Sequence, residues 1–164
     1  MLSNALQKAL NEQIKNELYS AYLYLAMSAH FEAASYPGFA KWTRMQANEE
    51  TEHGMKFYDF INDRNGRVEL LAIDKPAKEF GTPLEVFKEI LGHEQKVTAM
   101  INNLYEIALK EKDFAAQVML QWFINEQVEE EKNATQIVDQ LQMVEDRQGT
   151  LINIDHHIGK RGSD

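Results

Sequence analysis

The sequence predicts an all-α fold: a four-helix bundle with one long crossover and a short fifth helix at the C-terminus. Three observations lead there. Chain breakers are scarce, with 3 prolines and 8 glycines in 164 residues. Apolar residues recur at three- and four-residue spacing along four long uninterrupted stretches. The connections between those stretches run short, long, short, which is the pattern of two helical hairpins joined by a crossover.

The first helix, about 4–34, carries Leu6, Leu10, Ile14, Ala21 and Leu25 at helical spacing. Ser35-Tyr36-Pro37-Gly38 is turn chemistry. A second helix, about 38–64, stops at Asn65-Gly66. Thr82-Pro83-Leu84-Glu85 opens the third, about 83–111, with an N-cap threonine, a proline at the first helical position and a glutamate to close a capping box. Asp113 caps a fourth helix, about 113–145, and a short helix at about 150–158 precedes a polar tail. The connection 65–82 has 18 residues. Extended, it reaches roughly 60 Å, whereas a 28-residue helix is about 42 Å long, so it can traverse the bundle and leave helices two and three parallel. Its apolar piece, 68–73, then needs cover from the bundle or a neighbouring subunit, and the whole chain, 1–164, reads as a single domain.

Composition excludes several classes. With 17 basic and 26 acidic residues the formal net charge is −9, which disfavours nucleic acid and favours cations as partners. No apolar stretch approaches the roughly 18 residues of a membrane span. The first residues carry neither a basic n-region nor an apolar h-region, so a cytoplasmic protein is expected. The absence of cysteine rules out disulfides, Cys-ligated zinc and iron–sulfur clusters.

The inward stripes of the helices carry the chemistry. Helix three reads Leu84, Phe87, Leu91, Glu94, Thr98, Ile101; helix four reads Ala116, Leu120, Phe123, Gln127, Glu130, Ala134. Helix two reads Phe39, Thr43, Gln46, Glu50, His53, Phe57, and helix one Leu6, Leu10, Gln13, Glu17, Tyr24. Each helix thus places an acid near its middle on the face that should be apolar. Glu17 and His53 lie 18 residues either side of position 35, and Glu94 and Glu130 lie 18 either side of position 112, so each hairpin brings its acids to one level. Ionised carboxylates in such a core would cost several kcal/mol each. Two divalent ions balance Glu17, Glu50, Glu94 and Glu130, as do two ferric ions with a bridging oxide. Oxygen-rich ligands with one imidazole and no sulfur suit iron or manganese.

Glu17 in Asn-Glu-Leu-Tyr-Ser-Ala-Tyr, Glu49-Glu50-Thr51-Glu52-His53, Glu94, and Asn125-Glu126-Gln127-Val128-Glu129-Glu130, taken in that order, resemble the non-haem prokaryotic ferritins of the ferritin-like di-iron carboxylate family. The resemblance covers essentially the whole chain and implies a ferritin-like bundle. It implies a ferroxidase that oxidises Fe(II) with O2 or H2O2 and stores the ferric product as a mineral inside a homo-oligomeric cage of about 24 subunits. It further implies two irons at the ferroxidase centre. Glu17, Glu50 and His53 hold one, and Glu50, Glu94 and Glu130 hold the other, with Glu50 bridging. Gln127 marks a looser second position, and Glu49, Glu126 and Glu129, sharing Glu130, match a third iron position. Tyr24 matches a tyrosine beside the centre that can donate an electron; Trp122 could do likewise. Haem-binding relatives carry a Met after the second-helix glutamate, where Thr51 stands here, so no haem is expected.

Other readings stay open on the residues alone. The acidic run 126–131 can be a solvated helical face, Gln127 can merely orient a ligand, and Tyr24 can be an ordinary buried tyrosine. His30, His93, His156 and His157 lack partner sets and are expected at the surface. The alternative function is a di-iron or di-manganese oxidoreductase that keeps its metals and acts on an organic substrate or peroxide. The fifth helix favours the cage, because Leu151, Ile152, Ile154 and Ile158 call for a subunit contact.

Overall fold

The computed structural model describes residues 2–144 and 147–162. It contains α1 (Asn4–Ala33), α2 (Pro37–Asp63), α3 (Pro83–Lys110), α4 (Phe114–Val144) and α5 (Gln148–Ile158), and no strand among the described residues. None of its helices is long and apolar enough to cross a membrane. The Ser3 hydroxyl caps α1 by accepting from Leu6 N at 3.2 Å. At α3, Thr82 and Glu85 form the reciprocal capping box with Pro83 just inside it. Asp113 accepts from Ala116 N at 3.0 Å at the start of α4. Its two carboxylate oxygens also take the Arg64 guanidinium, both at 2.9 Å, which ties the end of α2 to the α3–α4 turn and holds the Asp113 carboxyl below its ordinary value. Ser35, Asn65 and Lys112 adopt positive φ where α1, α2 and α3 end. The predicted end of the fourth helix, residue 145, lies outside the described residues. The fifth helix begins at Gln148, two residues before its expected start.

Hydrogen bonds fix the helix directions. Ser28 of α1 reaches Ala40 O of α2, and Gln127 of α4 reaches Glu94 of α3, so each pair is an antiparallel hairpin. Across the hairpins, Tyr24 pairs with Glu94 and Asn16 with Met100. α1 therefore also opposes α3, and α2 runs parallel to α3. The crossover follows α1 from one end to the other. At its start Asn11 Nδ2 donates to Arg67 O (3.0 Å) while Asn11 Oδ1 accepts from Glu69 N (2.9 Å). At its end Phe80 is buried and His30 pairs with Gly81 O at 2.8 Å. Between these anchors the apolar piece is poorly covered by its own chain, with Leu70 69% and Ile73 40% exposed.

The core has two apolar parts. One gathers Phe31, Phe39, Phe87, Ile90, Ile137 and their neighbours; the other gathers Leu10, Phe57, Ile61, Ile101, Leu120 and theirs. On every bundle helix the buried charged or amide residues Glu17, Glu50, His53, Glu94, Gln127 and Glu130 fall between the two parts. The polar layer is therefore a transverse slice through the bundle.

α5 departs from the expectation that it needs a neighbour. Its own bundle buries Ile158 and packs against Leu151 and Ile154, leaving Ile152 exposed. The buried Asp155 carboxylate accepts from Gly38 N (3.1 Å) and Phe39 N (2.8 Å), capping the N-terminus of α2 from across the chain. Gly38 makes this approach possible, since a Cβ there would stand 1.8 Å from Asp155 O. Gly38→Ala should therefore unseat α5 and cost about 2 kcal/mol or more, whereas Gly92→Ala, in α3 with no atom within 4 Å of the added methyl, should stabilise by about 0.5–1 kcal/mol. Thermal denaturation of the two variants checks both, and equal melting temperatures would refute the seating of α5 on α2.

Candidate metal centre

The polar layer forms because helical spacing repeats on each helix. Glu17 follows Gln13 by four residues on α1, and Glu50 follows Gln46 by four on α2. In both pairs the amide donates to the acid one turn on: Gln13 Nε2 to Glu17 Oε1 at 2.9 Å, Gln46 Nε2 to Glu50 Oε1 at 3.1 Å. His53, a further turn along α2, places Nδ1 3.4 Å from Glu50 Oε2 and Nε2 3.9 Å from Glu126 Oε1. Its ring lies edge-on to Trp122 and Phe123, with centroids 5.4 and 5.9 Å away. Glu17, Glu50 and His53 each present a donor atom within 4.8 Å of the other two, and all three are buried.

The opposite side of the layer is built from α3 and α4. Glu94 receives the Tyr24 hydroxyl on Oε1 and the Gln127 amide on Oε2, the latter at 3.1 Å. Gln127 also reaches Glu94 O and Thr98 Oγ1, both at 3.3 Å, and Thr98 in turn donates to Glu131 at 2.5 Å. Glu130 is buried, and its carboxyl takes a hydrogen bond from the Gln46 side chain of α2. Glu126 and Glu49 are half-buried and Glu129 is exposed. Glu49 turns to the C-terminal tail, where Arg161 Nη2 donates to its Oε2 at 2.6 Å. The fold thus gathers Glu17, Glu50 and His53 closely, sets Glu94, Gln127 and Tyr24 against one another, and places Glu49 and Glu129 outside both groups but near enough to Glu126 for their charges to add to the rise that burial gives its carboxyl.

Electrostatics follow from burial. Desolvation pushes Glu94 up to about 8, with the Glu50 charge adding to it and the Tyr24 and Gln127 hydrogen bonds opposing it. Desolvation likewise lifts Glu130 to about 7. Glu17 is raised well above the ordinary carboxyl range by its burial and by the Glu50 charge. The Tyr24 hydroxyl is raised by burial and by Glu94. At His53 burial works against the imidazolium, but the hydrogen bond to Glu50 and the surrounding carboxylates outweigh it and raise the imidazole. Among the described residues, Glu17 Oε2 is the one buried side-chain nitrogen or oxygen without a hydrogen-bond partner. Such a starved carboxylate oxygen, facing a second carboxylate and an imidazole, has the donor chemistry of a cation position.

The inward stripes contain Gln13, Gln46 and Thr98, but composition and spacing alone assign them no role; their partners emerge only from packing. Arg161 gives no sequence signal at all, lying in a polar tail. Two histidines depart from the surface expectation. His93 is half-buried, pairs with Ser20 Oγ at 2.8 Å and packs edge-on to Tyr24, and burial lowers its imidazole. His30 lies under the crossover between Gly81 O and Glu79.

The sequence profile of the ferritin-like domain matches residues 7–144. The chain is 44% identical to a bacterial non-heme ferritin of Staphylococcus haemolyticus (strain JCSC1435) over 164 residues, covering 100% of this chain and 99% of that protein. It is 41% identical to one from Staphylococcus aureus (strain USA300) with the same coverage. In three dimensions it matches an open pore ferritin from the hyperthermophilic archaeon Archaeoglobus fulgidus. That match has a TM-score of 0.97 and 42% identity over 98% of this chain and 99% of that one.

The raised carboxyls couple stability to pH with a definite sign. A carboxyl whose folded pKa exceeds its unfolded value favours the fold most at low pH, and that contribution disappears as pH rises through the folded pKa. For Glu94 the window runs from about 4.5 to about 8. Metal-free protein should lose thermal stability across it, and Glu94→Gln should flatten the slope. Divalent-metal binding should release protons near neutral pH, which calorimetry in two buffers of different ionisation enthalpy counts. A melting temperature constant from pH 5 to 8 with no protons released would rule out the protonated resting layer.

Proposed function

The chain belongs to the ferritin family, whose members oxidise and store iron, and from that premise we propose how its own residues do so. Fe(II) is the substrate. Glu17, Glu50 and His53 hold one ion; Glu50, Glu94 and Glu130 hold a second, with Glu50 bridging and Gln127 marking the looser side. Glu49, Glu126 and Glu129 offer, with Glu130, a third position at the edge. The observation that carries this reading is the unpartnered Glu17 Oε2 within the cluster of Glu17, Glu50 and His53.

The chemistry asks the protein to place two ions at bridging distance in a dry layer with open coordination. Each Fe(II) gives up one electron. O2 takes the pair with two protons and leaves as H2O2, or H2O2 takes the pair with two protons and leaves as water. The carboxyls that shed protons as iron arrives sit in the same layer, so the proton donors and the oxidised ions are adjacent. Tyr24, hydrogen-bonded to Glu94, is placed to supply a further electron, and Trp122 lies against the His53 ring on the other side. Ferric product then leaves for the interior of a shell of about 24 subunits, for which the uncovered crossover residues Leu70 and Ile73 provide contact surface.

Anaerobic Fe(II) loading followed by air, with absorbance and particle mass read together, tests the reading. A particle of about 24 chains that oxidises two to three irons per chain rapidly and retains hundreds more supports it. A small oligomer saturating at two refutes it. Glu50→Ala should slow the rapid phase by about 100-fold or more while assembly persists, and Glu130→Ala should weaken the second position more than the first. Equal loss at both positions in Glu130→Ala would overturn the division of ligands.

A further inference from the structure

Arg161 follows the α5 C-cap, Gly159, by two residues, yet it reaches the edge of the polar layer. The docking of α5 on α2 carries it there. Its guanidinium donates to Glu49 Oε2 at 2.6 Å and to Gln46 Oε1 at 2.9 Å, and it stacks on the Trp42 ring with 5.0 Å to the centroid. Gln46 donates through its amide nitrogen to Glu50 Oε1, and its side chain also hydrogen-bonds the buried Glu130 carboxyl. Because an amide has one oxygen and one nitrogen, Arg161 on the oxygen fixes the orientation in which Gln46 donates to Glu50. One cation therefore touches a carboxylate at the edge of the layer and, through an amide, the carboxylate at its centre.

We propose that Arg161 is a positioning residue that acts as a displaceable cation, holding Glu49 and locking Gln46 onto Glu50 until a metal ion at Glu49 takes its place. The inference rests on reading Glu49 and Glu50 as iron ligands. The Arg161–Glu49 bond is charge-assisted and short, but both side chains are partly exposed, 26% and 38%, so displacement is affordable for an arriving divalent ion. Once the guanidinium leaves, the Gln46 oxygen loses the partner that fixes the amide's orientation, and Glu50 is free to change how it spans its two ions. Occupancy at the edge is thereby transmitted to the bridging carboxylate.

Zinc, which has no redox chemistry here, separates binding from oxidation. Assembled metal-free protein is titrated calorimetrically with Zn(II) as wild type, Arg161→Gln, Arg161→Lys and Glu50→Ala. Arg161→Gln should tighten the weakest position about fivefold, because no cation has to leave, while Arg161→Lys, which keeps the charge, stays within about twofold of wild type. Co(II) absorption reads the orientation. In wild type the bands of the tight position should shift as the weak position fills, and in Arg161→Gln they should be shifted from the first equivalent. Unchanged zinc affinity in Arg161→Gln, or equal weakening in both arginine variants, overturns the proposal. Tight zinc binding that survives Glu50→Ala refutes the ligand assignment itself, and this inference falls with it.

Discussion

Four carboxyls and an imidazole buried in one transverse layer set the terms for the rest of the bundle. Each ionised carboxylate taken from water costs several kcal/mol, against a total stability of about 5–15 kcal/mol for an ordinary domain. The chain meets this in two ways. Glu94 and Glu130 are pushed to about 8 and about 7, so protons neutralise much of the layer near neutral pH. Amide and hydroxyl donors, Gln13, Gln46, Gln127 and Tyr24, fill most of the remaining lone pairs. The two apolar core parts above and below then hold a layer that contributes little cohesion of its own.

That division explains why the fold was so legible in the sequence. The layer interrupts the hydrophobic period at the same height on all four helices, and the apolar repeats on both sides stay intact, so acids and period are read from the same stripes. Thr82-Pro83-Leu84-Glu85 and Asn65-Gly66 mark ends by local chemistry that tertiary packing did not overrule. The start of α5 was less legible because Arg147, its N-cap, makes no side-chain cap bond and carries no local signal. His93 departs from the surface expectation for another reason. Its partners, Ser20 and the Tyr24 ring, lie on a different helix, and pairing across helices leaves no trace in spacing along one.

Of the candidate site, one cluster was legible in the same way. Glu17, Glu50 and His53 come together because a hairpin aligns residues equidistant from its turn. Spacing says nothing of rotamers, however, and rotamers decide which carboxylate oxygens face the middle. Glu49 shows the difference. It neighbours Glu50 in sequence, but successive residues on a helix point about 100° apart, and Glu49 finds its partner in the tail. Nothing within α2 could reveal that partner, since it arrives from more than a hundred residues away.

The two sides of the layer are unequal, and the inequality has a physical origin. On the side of α1 and α2, an unpartnered carboxylate oxygen faces a second carboxylate and an imidazole, so an arriving cation displaces the proton of the raised Glu17 carboxyl and relieves repulsion, but breaks no hydrogen bond at that oxygen. On the side of α3 and α4, Glu94 already accepts from Tyr24 and from Gln127, and both its carboxyl and that of Glu130 hold protons into the neutral range. A cation there must displace protons and break hydrogen bonds that a metal-free chain depends on. In the proposed assignment the first position is thus prepared to bind and the second prepared to let go. A protein that must pass its substrate on to storage needs that asymmetry, whereas one that keeps a permanent pair of metals gains nothing from it. An amide at 127 in place of an acid serves the former purpose: it supplies a donor to hold Glu94 when the position is vacated, and no charge to retain the ion when it is filled.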